Sequence, residues 1–292
     1  MKWKNIGLIG SGVSLFYLMS IKPRIFNRPD DTPFRGKFFA HRGLHNMSPS
    51  LRDSGSPYYC KGGMFPENSY AAIERAVSYG FGVEFDVHLT KDDIPVVFHD
   101  DSLKRLCGVD GNLRDYTYAE LKQFSLYGTS EHIPTFSSIL KLIDGRVPII
   151  IEYKVEKGNA DRLCSICDNI LQHYQGDYCI ESFHPKAVRW YKKHRPEVVR
   201  GQLSEHFTKT IKCTLPMFLL SHLIGNCYAS PDFIAYNCLH YKELSRMLCK
   251  YFYRSFSVAW TIRSKEQLQK ISAFYDAYIF ENFIPESINV SC

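Results

Sequence analysis

The chain has 292 residues, 45% of them hydrophobic, and a formal net charge of +6. That length can bury one large core, and the modest basic excess, without a nucleic-acid motif or a long basic tract, argues against a nucleic-acid partner. Ten cysteines are not needed as staples in a chain this long. Several fall within apolar patterns (Cys164, Cys167, Cys179, Cys249), where a thiol behaves as a small hydrophobe. Cys164-x-x-Cys167 lies mid-helix in pattern and has no second pair at finger-like spacing, so it is read as core. So many thiols favour a reducing compartment.

Residues 6–21 (IGLIGSGVSLFYLMSI) form an apolar run flanked by Lys2 and Lys4 before it and by Lys22 and Arg24 after it. The run is slightly short of the ~20 residues that a straight spanning helix needs. It has no clean small-x-small cleavage site, and it stands apart from the pattern that follows. The expectation is a short membrane anchor with snorkelling flanks, residues 1–36 in all with a basic linker. Denser positive charge on its C-terminal side leads us to expect the domain that follows, residues 37–292, in the cytoplasm.

From residue 38 onward, short β-branched or aromatic runs alternate with helical patterns. The candidate strands are 38–41, 82–88, 147–152, 178–183, 198–203, 233–236, 256–261 and 277–281. Between the first two, Tyr70, Ile73, Ala76 and Val77 share one helical face, with Asn68 or Ser69 as cap and Gly80 as terminator. Eight strands each feeding a helix predict an α/β fold, a (β/α)8 TIM barrel. After the second strand, the turn at Lys91-Asp92-Asp93 and the extended run 95–99 predict a small inserted hairpin that carries His99 back over the barrel mouth. Further on, residues 215–224 (LPMFLLSHLI) are read as a buried helix. Lys242, Arg246, Lys250 and Arg254, four apart, are read as a solvated helix face. The alternative for both is a surface lying on anionic lipid.

In such a barrel, working residues sit where strands end. His41, Glu84, Asp86, Glu152 and Lys154 all fall there. Strand alternation puts Glu84, Asp86 and His88 on one face, and Val83, Phe85 and Val87 on the other. Glu84 and Asp86 with Glu152 make an oxygen cage suited to one divalent cation, Mg²⁺ or Ca²⁺. Burying three carboxylates together without a cation is costly. His41 and His99 titrate near working pH and are candidates for general acid and base. Arg42 and Lys154 offer charge to phosphoryl oxygens, and Gly43 permits close backbone approach. Glu67 takes substrate hydroxyls, supports the metal, or simply opens a helix as a first-turn carboxylate. Together these residues can perform metal-assisted attack on a phosphodiester.

The ordered motifs His41-Arg42-Gly43, Pro66-Glu67-Asn68, Glu84-Phe85-Asp86, His99-Asp100, Glu152-Tyr153-Lys154, Ser182-Phe183 and Trp260-Thr261 resemble the glycerophosphodiester phosphodiesterase family. The blocks FAHRGLHN, PENSYAAIERAV and EFDVHLTKDDIPVVFHDDSLKR extend the likeness, which runs from about residue 38 to 285. The resemblance implies a (β/α)8 barrel that hydrolyses glycerophosphodiesters to sn-glycerol 3-phosphate and an alcohol. It further implies that the glycerol 2-hydroxyl attacks first and that water opens the resulting cyclic phosphate. It implies His41 and His99 as the acid/base pair, and Glu84, Asp86 and Glu152 as cation ligands. By the same resemblance Arg42, Glu67 and Lys154 line the phosphate and glycerol site, and Phe183 and Trp260 wall the pocket. Two departures stand out. Residues 279–282 read Ile-Phe-Glu-Asn where many relatives carry Thr-Asp, and His88 stands where glutamine is common. A polar substrate contact is expected of His88. Residues 44–65 read as a loop near the mouth able to act as a lid. The alternatives are a lysophospholipase D-type enzyme of the same barrel class and a membrane-tethered binding protein without activity.

Overall fold

The computed structural model describes residues 14–46, 63–207 and 214–285. Its centre is a closed barrel of eight parallel strands. These are β1 (Phe38–His41), β2 (Gly82–Leu89), β4 (Ile149–Tyr153), β5 (Tyr178–Ser182), β6 (Arg200–Ser204), β7 (Phe233–Asn237), β8 (Phe256–Ile262) and β9 (Ala277–Phe280). The third strand in chain order, β3 (Pro95–Val97), stands outside the barrel. Closure comes from β1, which pairs with β9 on one side and with β2 on the other. Each expected strand is present, shifted by two residues at most.

Strand alternation sorts the side chains into two layers. Val83, Phe85 and Val87 point outward and are fully buried under the helices Tyr70–Ser78 and Phe136–Ile143, in the larger core. Each contributes about 1.5–3 kcal/mol by leaving water. Ala72, Ile73, Ala76 and Val77 face them, Tyr70 lies at the exposed edge, and the Ser69 hydroxyl caps the helix by accepting from Ala72 N. The inward layer holds Phe39, Ile150, Cys179, Phe233, Phe256 and Ile279, with Phe34 stacked on Phe39 at the lower end. Gly201 on β6 is required there, since a Cβ would stand 2.2 Å from the Phe233 ring.

The strand β3 pairs antiparallel with the end of β2, as the hairpin reading expects. The insertion is larger than a hairpin, however. Residues 96–133 build a separate core from Val96, Phe98, Leu103, Leu106, Leu113, Leu121, Leu126 and Ile133. Their apolar spacing is too irregular to announce this from sequence.

Residues 14–21 are helical, and the C-terminal end of this helix docks on the barrel. Ile21 is fully buried in the main core, and its carbonyl accepts from Asn226 Nδ2. Tyr253 Oη donates to Leu18 O. The basic linker is also tied down: Arg24 donates to Pro196 O and Arg28 to Tyr253 O. This end of the apolar run is therefore a core element, because Ile21 and Tyr17 fill a gap that the barrel helices leave. Residues 6–13 of the expected anchor, and 47–62 of the expected lid, lie outside the described residues. Among the described residues no helix is long and apolar enough to cross a membrane.

The expected basic face at 242–254 is corrected. The segment is helix Leu244–Met247 followed by a π-helix, Leu248–Phe252. Arg246 is fully buried, donating to Tyr241 O and Phe274 O, and Lys250 pairs with Asp276 at 2.9 Å. Packing needs turned these cations inward. Cys164 and Cys167 are buried on helix Ala160–Leu171 and free, as the core reading expects.

Candidate active site

The C-terminal ends of β1, β2, β4, β5, β8 and β9 converge on one polar hollow. Parallel register sets its floor, with His41 beside Glu84, Asp86 beside Glu152, and Glu152 beside Glu181. Gly43 completes the turn after His41. Its φ is +76°, and a Cβ at this position would stand only 2.7 Å from the Ala72 backbone, so no side chain fits.

Glu84, Asp86 and Glu152 are all buried and place carboxylate oxygens within 4.8 Å of one another. Lys154 Nζ bridges two of them, 2.9 Å from Asp86 and 2.7 Å from Glu152. Asn68 Nδ2 donates to Asp86 at 2.8 Å, and Arg42 Nε lies 3.4 Å away. Burial opposes ionisation of Asp86, but Lys154, His99 and Arg42 outweigh it and hold its carboxyl well below the usual range. Glu84 is different. It accepts the Arg42 backbone N–H at 3.1 Å, and burial together with Asp86, Glu152 and Glu181 pushes its carboxyl well up. Burial and Asp86 likewise raise Glu152 against the pull of Lys154.

Four buried carboxylates thus face two cationic side chains, one of which, Arg42, also serves Glu67. Glu181 Oε2 is buried without a hydrogen-bond partner among the described residues. This oxygen-rich, charge-deficient set fits a hard divalent cation held by Glu84, Asp86 and Glu152.

Two imidazoles flank the cage. His41 Nδ1 lies 2.5 Å from Glu281 Oε2, and its Nε2 faces Glu84 at 3.9 Å. Burial, then the Arg42 charge, push His41 down to about 4 against the opposing carboxylates. At neutral pH the ring is uncharged: Nδ1–H donates to Glu281 and Nε2 keeps its lone pair. His99 stands on the other side, with Nδ1 2.6 Å from Asp100 Oδ1. Beyond His99 opens a cavity of about 850 Å³ shared by Glu152, Lys154, Phe183 and Trp260. The Phe183 and Trp260 rings meet edge-to-face at 5.5 Å and form one wall.

Every residue singled out in the sequence is therefore in or beside this hollow. Glu67 is the least available to a ligand. Its oxygens accept from Arg42 Nη1 (2.7 Å) and from Arg105 (2.7 and 2.8 Å). His88 is corrected: its Nδ1 meets Glu156 at 2.7 Å and its Nε2 meets the His99 carbonyl at 3.0 Å, so the ring braces His99 from within the protein. Sequence reasoning missed Arg105, which ties Glu67 to Asp100, and Glu181, the lone acid in an apolar strand. Glu281 was visible only as a departure. It proves to be the partner of His41, with Arg263 Nε at 2.6 Å on its other oxygen and the buried His45 at 3.7 Å.

A family model for the glycerophosphoryl diester phosphodiesterases matches residues 41–215. A glycerophosphodiester phosphodiesterase of Bacillus altitudinis is 30% identical over 178 residues, 56% of this chain and 64% of that protein, so the match spans under two thirds of that relative. A lysophospholipase D of Rattus norvegicus is 31% identical over 125 residues, 38% of each chain. Among solved structures, an Oleispira antarctica phosphodiesterase in complex with the product sn-glycerol 3-phosphate shares the fold. It has a TM-score of 0.63 at 23% identity, with 84% of this chain and 92% of that one covered. The barrel, the motif order and the family match over more than half the sequence agree: the chain belongs to the glycerophosphoryl diester phosphodiesterase family.

Proposed function

We propose that the chain is a metal-dependent phosphodiesterase that hydrolyses glycerophosphodiesters to sn-glycerol 3-phosphate and an alcohol. The observation that carries this reading is a buried, charge-deficient carboxylate cage between two differently held imidazoles. A divalent cation held by Glu84, Asp86 and Glu152, Mg²⁺ or Ca²⁺, would polarise the phosphoryl oxygens. Arg42 and Lys154 add fixed positive charge beside it, and Glu67 holds Arg42 in place. His41, neutral and oriented by Glu281, accepts the nucleophile's proton at Nε2. His99 borders the cavity that receives the leaving group and protonates the departing alkoxide. Family resemblance makes the glycerol 2-hydroxyl the first nucleophile.

The cavity favours a second substrate reading. Phe183, Phe207, Met217, Leu220, Leu223 and Trp260 line it, and each methylene buried there contributes about 0.8 kcal/mol. A lysophospholipid offers such a chain, and one relative is named a lysophospholipase D. Membrane association through residues 6–21, with the catalytic domain on the cytoplasmic side, belongs to the same proposal. Leu15, Phe16 and Met19 of that run are exposed apolar side chains.

The test is a substrate panel of glycerophosphocholine, glycerophosphoglycerol and lysophosphatidylcholine. Released glycerol 3-phosphate and choline are followed with and without vesicles. EDTA should abolish turnover and Mg²⁺ or Ca²⁺ should restore it. Full activity in chelator would remove the metal reading, and no product from any diester would remove the enzymatic one, leaving a binding protein.

A further inference from the structure

His41, His45 and Glu281 present a second donor group beside the carboxylate cage. One ligand atom from each lies within 4.8 Å of the others. His45 is 4% exposed, and neither of its ring nitrogens has a hydrogen-bond partner among the described residues. Its Nε2 stands 3.7 Å from Glu281 Oε2, too far for a hydrogen bond. A buried imidazole left this way loses solvation and keeps only the long Glu281 contact in its place. The surrounding backbone holds it there: Leu44 N donates to Ala72 O at 2.8 Å, and Asn46 N to Phe65 O at 3.0 Å. Glu281 is fixed as well, since Arg263 Nε grips its Oε1 at 2.6 Å and leaves Oε2 to the two rings.

Two imidazoles and one carboxylate are a donor set for a borderline transition metal and a poor one for Mg²⁺ or Ca²⁺. From this geometry we infer an inhibitory transition-metal site, in which Zn²⁺ binds His41 Nδ1, His45 Nε2 and Glu281 Oε2 and switches the catalytic centre off. The cation displaces the Nδ1 proton of His41, which leaves to solvent. Nε2 takes up a proton from solvent in exchange, so the ring stays neutral with its single proton on Nε2, and both nitrogens are filled. His41 can no longer accept a proton from a nucleophile. The protein thus holds two cation sites of opposite preference, an all-oxygen cage that supports reaction and a nitrogen-rich one that blocks it, with the His41 ring between them.

The experiment uses the full chain with excess Mg²⁺ present to fill the cage. Co²⁺ titration followed by visible absorption, and Zn²⁺ titration by calorimetry, are run on the wild type and on His45→Gln, each checked by circular dichroism. One added equivalent with nitrogen-coordinated Co²⁺ bands is expected in the wild type. His45→Gln should weaken it at least about tenfold, the lower limit seen even for loss of an outer-shell partner. Zn²⁺ inhibition, with each protein normalised to its own zinc-free rate, should shift by the same factor. Absence of the bands in the wild type would overturn the inference whatever the variant does. Undiminished binding or equal inhibition in a folded His45→Gln would overturn it too, placing zinc in the cage or on cysteines. The binding readout needs no substrate, so its failure leaves the reaction assignment untouched.

Discussion

Glu67→Gln isolates one electrostatic link between the site and the fold. Glu67 is buried, with Arg42 on one oxygen and Arg105 on both. Burial alone would raise its carboxyl, but the Arg105 hydrogen bonds and the Arg42 charge bring it down to about 2. A carboxyl whose folded value is depressed stabilises the fold above its unfolded value, ~4.3, and loses that contribution as pH falls toward 2. From the ordinary value of 4.5 the shift corresponds to about 3 kcal/mol at pH 7, falling to about 1 kcal/mol at pH 3. Urea unfolding of wild type and Glu67→Gln at pH 7, 5, 4 and 3 measures this directly, because every other group titrates alike in both and cancels. The stability gap should narrow by about 2 kcal/mol between pH 7 and pH 3. Gln also leaves two guanidinium groups underpaired, which adds a pH-independent offset without changing the slope. A gap of constant size across the series would refute the argument and make the arginine pairs mere neighbours.

His41→Ala and His99→Ala should each lower kcat by on the order of 10²–10⁴ with folding intact, as circular dichroism and a coupled assay will check; an unchanged rate removes the assigned role. Glu181 is pushed well up by burial and by Glu152. Its unfolded form therefore ionises first, and wild-type stability falls as pH rises past ~4.3; Glu181→Gln, unfolded by urea in EDTA, should gain on the wild type between pH 4 and pH 8. A difference independent of pH would show Glu181 ionised in the fold. Ile21→Ala should cost about 2–5 kcal/mol if residues 14–21 dock in solution as they do here, and a loss under 0.5 kcal/mol would show that they do not.

The barrel was legible because its signals are local. Periods of two and of about four residues, broken by turn residues, mark strands and helices before any contact is known. The cage was legible for a related reason. Glu84 and Asp86 share a strand face by alternation alone, and His41 and Glu152 sit at strand ends that any closed parallel barrel brings together. Three features were not readable. Arg246 and Lys250 follow a solvated-face spacing, yet packing after β7 turned both inward. The apolar run at 6–21 suits a bilayer and a core equally, since both remove it from water, and only the gap filled by Ile21 shows where its end goes. Glu281 stands 240 residues from His41 in sequence, and its pairing depends on β9 closing against β1. Sequence thus determined which residue types line the barrel mouth, because strand periodicity dictates facing. Tertiary structure alone decided which of them pair, because hydrogen bonds of 2.5–3 Å between distant segments depend on closure, register and packing that no local pattern encodes.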